Sequence, residues 1–295
     1  MKNKTALNKS SAVVLAGLMT LSMAMPVAAA NDDPNLVVTS DTLYSTPITS
    51  GSSVTLGLMP ANAYYQRTGF DSEDAAKSGL KVESVNFGGN RLTGAYTYGA
   101  KETADGWAGT VTVTGAAGQY GPASLHIVNT NNESAGIDMT VYVEAEEAQK
   151  DVTVSKVVVT DLSGDNVIDE KAQNLTVSAA SKEADNPFKG SEGCAQSYAT
   201  AGDALYSLAE ANNMSFEQSG GYVQSITDEA ENTLEAYTTE DWNYYGWNYC
   251  VVRDGEKVSE GDIVSASVLE VEDGDSVYWA FGTYEQATKY FNNLK

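Results

Sequence analysis

The residues of this sequence most able to do chemistry are aromatic and lie close together. One short segment holds six of them: Tyr237, Trp242, Tyr244, Tyr245, Trp247 and Tyr249. Flat aromatic faces bind sugar rings and other flat small molecules through stacking and CH–π contacts. The segment therefore predicts a surface for a small-molecule or glycan ligand.

Two interpretations of these aromatic residues stay open. In a strand, Trp247, Tyr249 and Val251 share one face, and one face of the strand must pack on a core. The burial habits of large aromatics favour the core for Trp247 and Tyr249. Residues that precede the strand are expected to be exposed and to rim a ligand surface. The predicted ligand-binding residues are Trp242, Tyr244, Tyr245, Trp247, Tyr249 and Arg253.

Catalytic chemistry has little support in the sequence. His126 is the single histidine and lies in an apparent strand, where a lone histidine is usually structural or faces solvent. No Cys/His cluster predicts zinc, and no glycine-rich loop predicts phosphate binding. A glycosidase that uses two carboxylates stays open, although it normally needs a larger scaffold. We therefore expect a protein that is not an enzyme and has no metal or cofactor.

The segment Asp161–Asp169 resembles a calcium-binding loop. Its oxygen-bearing side chains stand at the first, third, fifth and ninth positions, as in such loops. The twelfth position is Ala172 instead of a bidentate acid, and Asn166 replaces the loop glycine. Since Asp, Asn and Gly are also ordinary turn residues, the segment predicts a polar hairpin turn.

The two cysteines, Cys194 and Cys250, form an even pair. In an oxidising compartment such a pair is expected to form a disulfide. This bond would join the loop before a predicted helix to the Trp-rich strand. The alternative is two buried thiols.

The N-terminus predicts export. A lysine-rich start precedes an apolar stretch at residues 11–25, and Ala28–Ala30 supplies the small residues that a signal peptidase needs. Residues 1–30 are therefore predicted to be a signal peptide, which implies a secreted, extracellular or cell-surface protein. No second apolar run of about 18 residues follows, so no membrane span is expected.

The charge balance limits the possible partners. The chain has a formal net charge of −23. Such an acidic surface repels nucleic acid and anionic lipid, so we expect no nucleic-acid partner.

Residues 31–147 have the pattern of an immunoglobulin-like β-sandwich. Short segments alternate apolar with polar residues and are separated by turn residues. A helical turn is predicted over Asp71–Lys77, and the charged stretch Glu144–Asp151 is typical of a linker. The candidate strands are Leu36–Thr39, Val54–Met59, Leu80–Phe87, Leu92–Tyr98, Trp107–Val113, Ser124–Val128 and Ile137–Val143.

Residues 151–283 combine further strands with one strong helix, and a last helix is predicted over residues 284–295. Thr200 is a good N-cap for the strong helix, and Asp203 is placed to complete the cap. The candidate strands are Val152–Thr160, Gln173–Ala179, Tyr222–Ile226, Trp247–Arg253, Ile263–Leu269 and Ser276–Phe281.

Four segments of this region resemble, in the same order, a family of bacterial domains similar to the C-terminal domain of transcobalamin and intrinsic factor. They are Thr200–Leu208, Tyr222–Ile226, Gly246–Gly255 and Val271–Trp279. The resemblance implies a β-grasp-like domain, in which one helix crosses a mixed sheet. It also implies cobalamin or another corrinoid as a ligand. The relatives that bind cobalamin clamp it against a large helical barrel, which no stretch of this sequence could build.

The expected fold class is mainly β with some α, with an N-terminal immunoglobulin-like β-sandwich followed by a β-grasp-like α+β domain. Two functions stay open. The first is a non-catalytic binding protein that holds cobalamin or another small molecule and delivers it to a membrane transporter. The second is a structural or adhesive surface protein whose domains contact protein or cell-wall glycan. An exposed aromatic cleft near Trp242 would favour the small-molecule-binding protein. The lack of a deep pocket would favour the structural or adhesive surface protein.

Overall fold

The computed structural model describes residues 35–39, 48–62, 65–87, 95–164, 167–258 and 264–294. The predicted signal peptide, residues 1–30, lies outside these ranges. Within them, no helix has the length and apolar character that crossing a membrane requires.

The first half of the described chain forms a β-sandwich of two four-stranded sheets. Its strands are β1 Asn35–Val38, β2 Ile48–Thr49, β3 Ser53–Ala61, β4 Leu80–Phe87, β5 Ala95–Thr103, β6 Gly106–Thr114, β7 Gly121–Asn129 and β8 Asn132–Glu144. One sheet has the order β1-β3-β6-β5, and the other has the order β2-β8-β7-β4. The predicted sandwich architecture is confirmed.

The sandwich core follows from the period-two alternation of its strands. Alternate side chains of a strand point to opposite faces, so the apolar set of each sheet turns inward. Helix α1 (Glu73–Ser78) packs beside β5 and β6, where the sequence predicted a helical turn. The fully buried residues include Leu56, Leu58, Val111, Leu125 and Ile127.

The second half is built on a mixed sheet with one helix across it. Its strands and those of a smaller sheet are β9 Val152–Asp161, β10 Asp169–Val177, β11 Ser215–Ser219, β12 Tyr222–Thr227, β13 Thr233–Glu235, β14 Tyr237–Thr238, β15 Tyr244–Arg253, β16 Glu256–Lys257 and β17 Ser276–Gly282. The main sheet has the order β10-β9-β17-β15-β14, with β16 paired to β15 and with β9 parallel to β17. The predicted β-grasp-like α+β arrangement is therefore confirmed.

Helix α2 (Ala201–Ala211) begins at the predicted N-cap. The Thr200 hydroxyl accepts a hydrogen bond from Asp203 N at 3.2 Å, and the Asp203 carboxylate accepts one from Thr200 N at 3.0 Å. This reciprocal cap satisfies amides that the first helical turn leaves without partners. The helix buries its apolar stripe on the main sheet through Ala204, Leu205 and Leu208.

Helix α3 (Tyr284–Phe291) covers the opposite face of the same sheet. Its Ala287 and Phe291 pack against Cys250, Val252 and Tyr278. The predicted C-terminal helix is thus present, and it gives the sheet a second, smaller core.

A three-stranded antiparallel sheet, with the order β11-β12-β13, lies beside the main sheet. Phe216, Ile226 and Leu234 on its inner face join the core below helix α2. The sequence predicted only the middle strand of these three.

One predicted strand, Ile263–Leu269, is wrong. The described residues 264–269 form turns and bends, with Val268 N and Leu269 N both donating to Ser265 O. The apolar residues of this segment are buried, so their alternation reflected packing of a folded loop and not pairing in a sheet.

Candidate functional site

The predicted aromatic segment folds as one hairpin, formed by β14, the turn at residues 239–243 and the start of β15. We call the part from Tyr237 to Tyr245 the aromatic hairpin. It stands at the edge of the main sheet, where β14 pairs only with β15 among the described strands.

Trp242 lies at the tip of the aromatic hairpin and is 88% exposed. The turn is closed by Trp242 N donating to Thr239 O at 3.0 Å and by Thr239 N donating to Asn243 O at 2.9 Å. Trp242 has a φ of +63°, in the left-handed region that favours glycine or asparagine. An indole with this conformation and exposure contributes almost no buried area to the fold.

Behind the tip, Tyr237 and Tyr245 stack face to face. Their ring centroids are 5.0 Å apart and the rings are nearly parallel, at 3°. Tyr237 is 47% exposed, so the pair presents an aromatic face near the tip. Tyr237 was not among the predicted site residues. Its pairing opposite Tyr245 in a hairpin was the signal that could have found it.

Tyr244 is half-buried, and its hydroxyl contacts the hydroxyl of Tyr222 at the start of β12. Burial raises the pKa of Tyr244 to about 12. This contact ties the aromatic hairpin to the three-stranded sheet.

Trp247 is a core residue, which corrects its assignment to the ligand surface. It is only 4% exposed, and its indole Nε1 donates to Leu234 O at 3.2 Å. Tyr249 packs against the same core, and its hydroxyl donates to Val264 O at 2.6 Å. Both are therefore held by the fold, as the burial of large aromatics predicts.

Arg253 has a structural role, and its predicted place in the ligand site stays a prediction. Its guanidinium is held by the carboxylates of Asp275 and Glu272. The hydrogen bond from Nη2 to Glu270 O, at 3.3 Å, adds a third partner.

The predicted disulfide between Cys194 and Cys250 is wrong, because both residues are buried thiols. Cys194 belongs to the core below helix α2, and Cys250 belongs to the core below helix α3. The main sheet separates these two cores. Burial raises the pKa of the Cys194 thiol to about 11, which keeps it protonated and unreactive.

The other sequence candidates are not brought into one site. The Asp161 carboxylate accepts hydrogen bonds from Ser163 N and Val167 N, as in a polar hairpin turn; residues 165–166 lie outside the described ranges. His126 pairs across strands with Asp138, at 2.9 Å from Nδ1 to Oδ1. Among the described residues, no three His, Cys, Asp or Glu side chains meet as a metal site.

Comparisons with known proteins give no family for the chain. No protein-family model and no curated protein matches it. The Escherichia coli adhesin FdeC is 17% identical, with a TM-score of 0.25; the match covers 45% of this chain and 35% of the adhesin chain. Domains 6–7 of the surface layer protein SbsC are 11% identical, also with a TM-score of 0.25, over 87% of this chain and 94% of that chain. Likenesses at this level carry no argument about function.

Proposed function

We propose that this chain is a non-catalytic contact protein of the cell surface or extracellular space, and that its aromatic hairpin binds glycan. The observation that carries the proposal is Trp242, which is 88% exposed at a hairpin tip in a left-handed conformation. Such a conformation costs a non-glycine residue about 1–3 kcal/mol. Since the indole is not buried in return, its presence is explained by a contact outside the chain.

The chemistry of the aromatic hairpin suits a sugar ring. The indole of Trp242 and the stacked pair of Tyr237 and Tyr245 offer flat apolar faces. Glu240 and Asp241 are exposed in the same turn and offer acceptors to sugar hydroxyls. Aromatic faces combined with hydrogen-bond acceptors match the two kinds of surface that a glycan presents.

The shape of the described surface also favours a contact protein. Two concavities of the described surface, one at the end of β5 and one on the three-stranded sheet, are open to solvent, and the aromatic hairpin lines neither. A glycan chain lying across an exposed ring needs no deep pocket. A ligand enclosed on most sides would need one.

Corrinoid binding is a second proposal, based on the resemblance to transcobalamin-like domains. The mixed sheet with one crossing helix supports it. One observation disfavours it: contacts inside the fold already hold three of the predicted ligand-binding residues, Trp247, Tyr249 and Arg253. Equilibrium binding of labelled cobalamin and cobinamide to the purified chain tests this proposal directly.

The glycan proposal is tested by co-sedimentation of the purified chain with insoluble cell-wall glycan. We expect Trp242→Ala to weaken binding by at least about 10-fold, because removal of a central aromatic contact typically costs more than 1 kcal/mol. The matched control is Tyr284→Ala, which removes a 76% exposed aromatic from helix α3. Equal binding by the two variants and the unaltered chain would contradict the proposal.

A further inference from the structure

The segment between the two halves of the chain is hydrogen-bonded to the second half. We call this segment, residues 145–151, the strap; it connects β8 to β9, where the sequence predicted a linker. Ala145 N donates to Ser197 Oγ at 2.8 Å, and Gln149 N donates to Ser197 O at 2.6 Å. The backbone of a flexible linker would bond to water instead, so the strap is held in place.

Lys182 holds the end of the strap that leads into β9. Its ammonium group donates to Gln149 O and to the Asp151 carboxylate, the latter at 2.7 Å. The strap is therefore bound to the second half near both of its ends.

Glu144, the last residue of β8, joins the sandwich to the second half. Its backbone belongs to the sandwich, where Glu144 O accepts a hydrogen bond from Ser50 N at 3.0 Å. Its carboxylate accepts from Gln196 N at 2.7 Å, from Ser197 N at 2.8 Å and from the Ser197 hydroxyl. Hydrogen bonds to a carboxylate are stronger than those between neutral groups. One residue thus anchors both halves.

Two tyrosines of the sandwich pack against the second half. Tyr142 on β8 is 5% exposed and belongs to the core below helix α2. Tyr120, which precedes β7, packs on Tyr198 with ring centroids 5.3 Å apart, and its hydroxyl donates to Glu270 Oε1 at 2.9 Å. Because the two halves share these buried rings, their separation would expose apolar surface to water.

We propose that the sandwich and the second half move as one rigid body, and that Glu144 locks them together. Two domains of one chain usually move relative to each other unless their interface is extensive and apolar. The shared tyrosines, the carboxylate of Glu144 and the bound strap oppose such motion.

A rigid joint has a consequence for the aromatic hairpin, which lies in the second half. The joint fixes the direction of the hairpin relative to the sandwich. A contact surface held in one direction loses less conformational freedom when it binds a partner. The joint itself does not depend on what the hairpin binds.

Nuclear magnetic resonance relaxation of the backbone amides in the purified chain tests the rigid joint. We expect amides of the sandwich and amides of the second half to give the same rotational correlation time, that of the whole molecule. A shorter correlation time for either half would overturn the proposal, because the two halves would then tumble independently.

Limited proteolysis tests the role of Glu144. Trypsin cleaves after lysine, and the Lys150 side chain in the strap is 81% exposed, so cleavage there reports local opening of the strap. We expect Glu144→Ala to raise the rate of this cleavage at least several-fold. Ser197→Ala, which removes only a hydroxyl, should raise it in the same direction.

The matched control is Glu146→Ala, which removes an exposed carboxylate from the strap and should leave the cleavage rate unchanged. Equal rates for Glu144→Ala and Glu146→Ala would overturn the assignment of the lock to Glu144, even where the two correlation times agree. The relaxation measurement needs no variant, so it tests the rigid joint even where Glu144→Ala fails to fold.

Discussion

Arg253 and Asp275 form a two-point ion pair at the far end of β15. Nε of Arg253 donates to Asp275 Oδ1 at 2.9 Å, and Nη2 donates to Oδ2 at 2.8 Å. The Asp275 side chain is fully buried, whereas Glu272, which accepts from Nη1, is half-exposed. The arginine therefore compensates a charge that the fold has removed from water.

Replacement of Arg253 by alanine is expected to lower the free energy of unfolding by about 3–5 kcal/mol, because it leaves a buried carboxylate without its cation. Urea unfolding measures the change. As a control, Lys150→Ala removes an ion pair with Asp273 whose side chains are 81% and 59% exposed, and it should cost less than about 1 kcal/mol. Equal effects of the two substitutions would contradict the structural role of Arg253.

Asp203 should make the stability of the chain depend on pH. Burial raises the pKa of Asp203 from 3.8 to about 7. Hydrogen bonds from Thr200 and Asn186 lower this pKa, but their effect is smaller than that of burial. A carboxyl with a raised pKa in the folded state binds its proton more tightly there than in the unfolded chain. Its stabilising contribution is therefore full below about pH 4 and is lost as the pH rises to about 7.

Urea unfolding of the unaltered chain and of Asp203→Asn, at several pH values from 4 to 8, measures this contribution. The stability difference between the two proteins should shift by up to about 4 kcal/mol over that range, with the unaltered chain losing more as the pH rises. A difference that stays constant with pH would show that Asp203 is ionised throughout.

Labelling of Cys194 and Cys250 distinguishes the two free thiols of the structure from the disulfide that the sequence predicted. Because Cys194 and Cys250 are buried in different cores, neither should react with a thiol reagent in the native protein. After unfolding without reductant, two labelled cysteines per chain are expected by mass spectrometry. No labelling under those conditions would instead establish the disulfide.

The sequence predicted those helices and strands whose formation depends on a few neighbouring residues. The cap of helix α2 needs only Thr200 and Asp203, three residues apart, and the sandwich strands need only their alternation. Both kinds of signal are contained in a few consecutive residues, so the fold class could be predicted from them.

The features that the sequence did not predict depend mostly on contacts between segments that are distant in the chain. Strand β11 is short and largely polar, and only its place beside β12 makes it a strand. The disulfide was predicted from residue type alone, whereas the main sheet decides that Cys194 and Cys250 lie in different cores. Trp242 occupies a turn position that usually takes glycine or asparagine, so turn preferences could not locate it.

Glycan binding through the indole of Trp242 is tested most sharply by the affinity of Trp242→Gly for cell-wall glycan. Glycine suits the left-handed position, so this variant should unfold at the same or higher urea concentration, with a gain of about 1 kcal/mol. We nevertheless expect this variant to bind glycan at least about 10-fold more weakly than the unaltered chain, because it lacks the indole. A variant that is less stable but binds as tightly as the unaltered chain would show that the indole serves the fold and not a ligand.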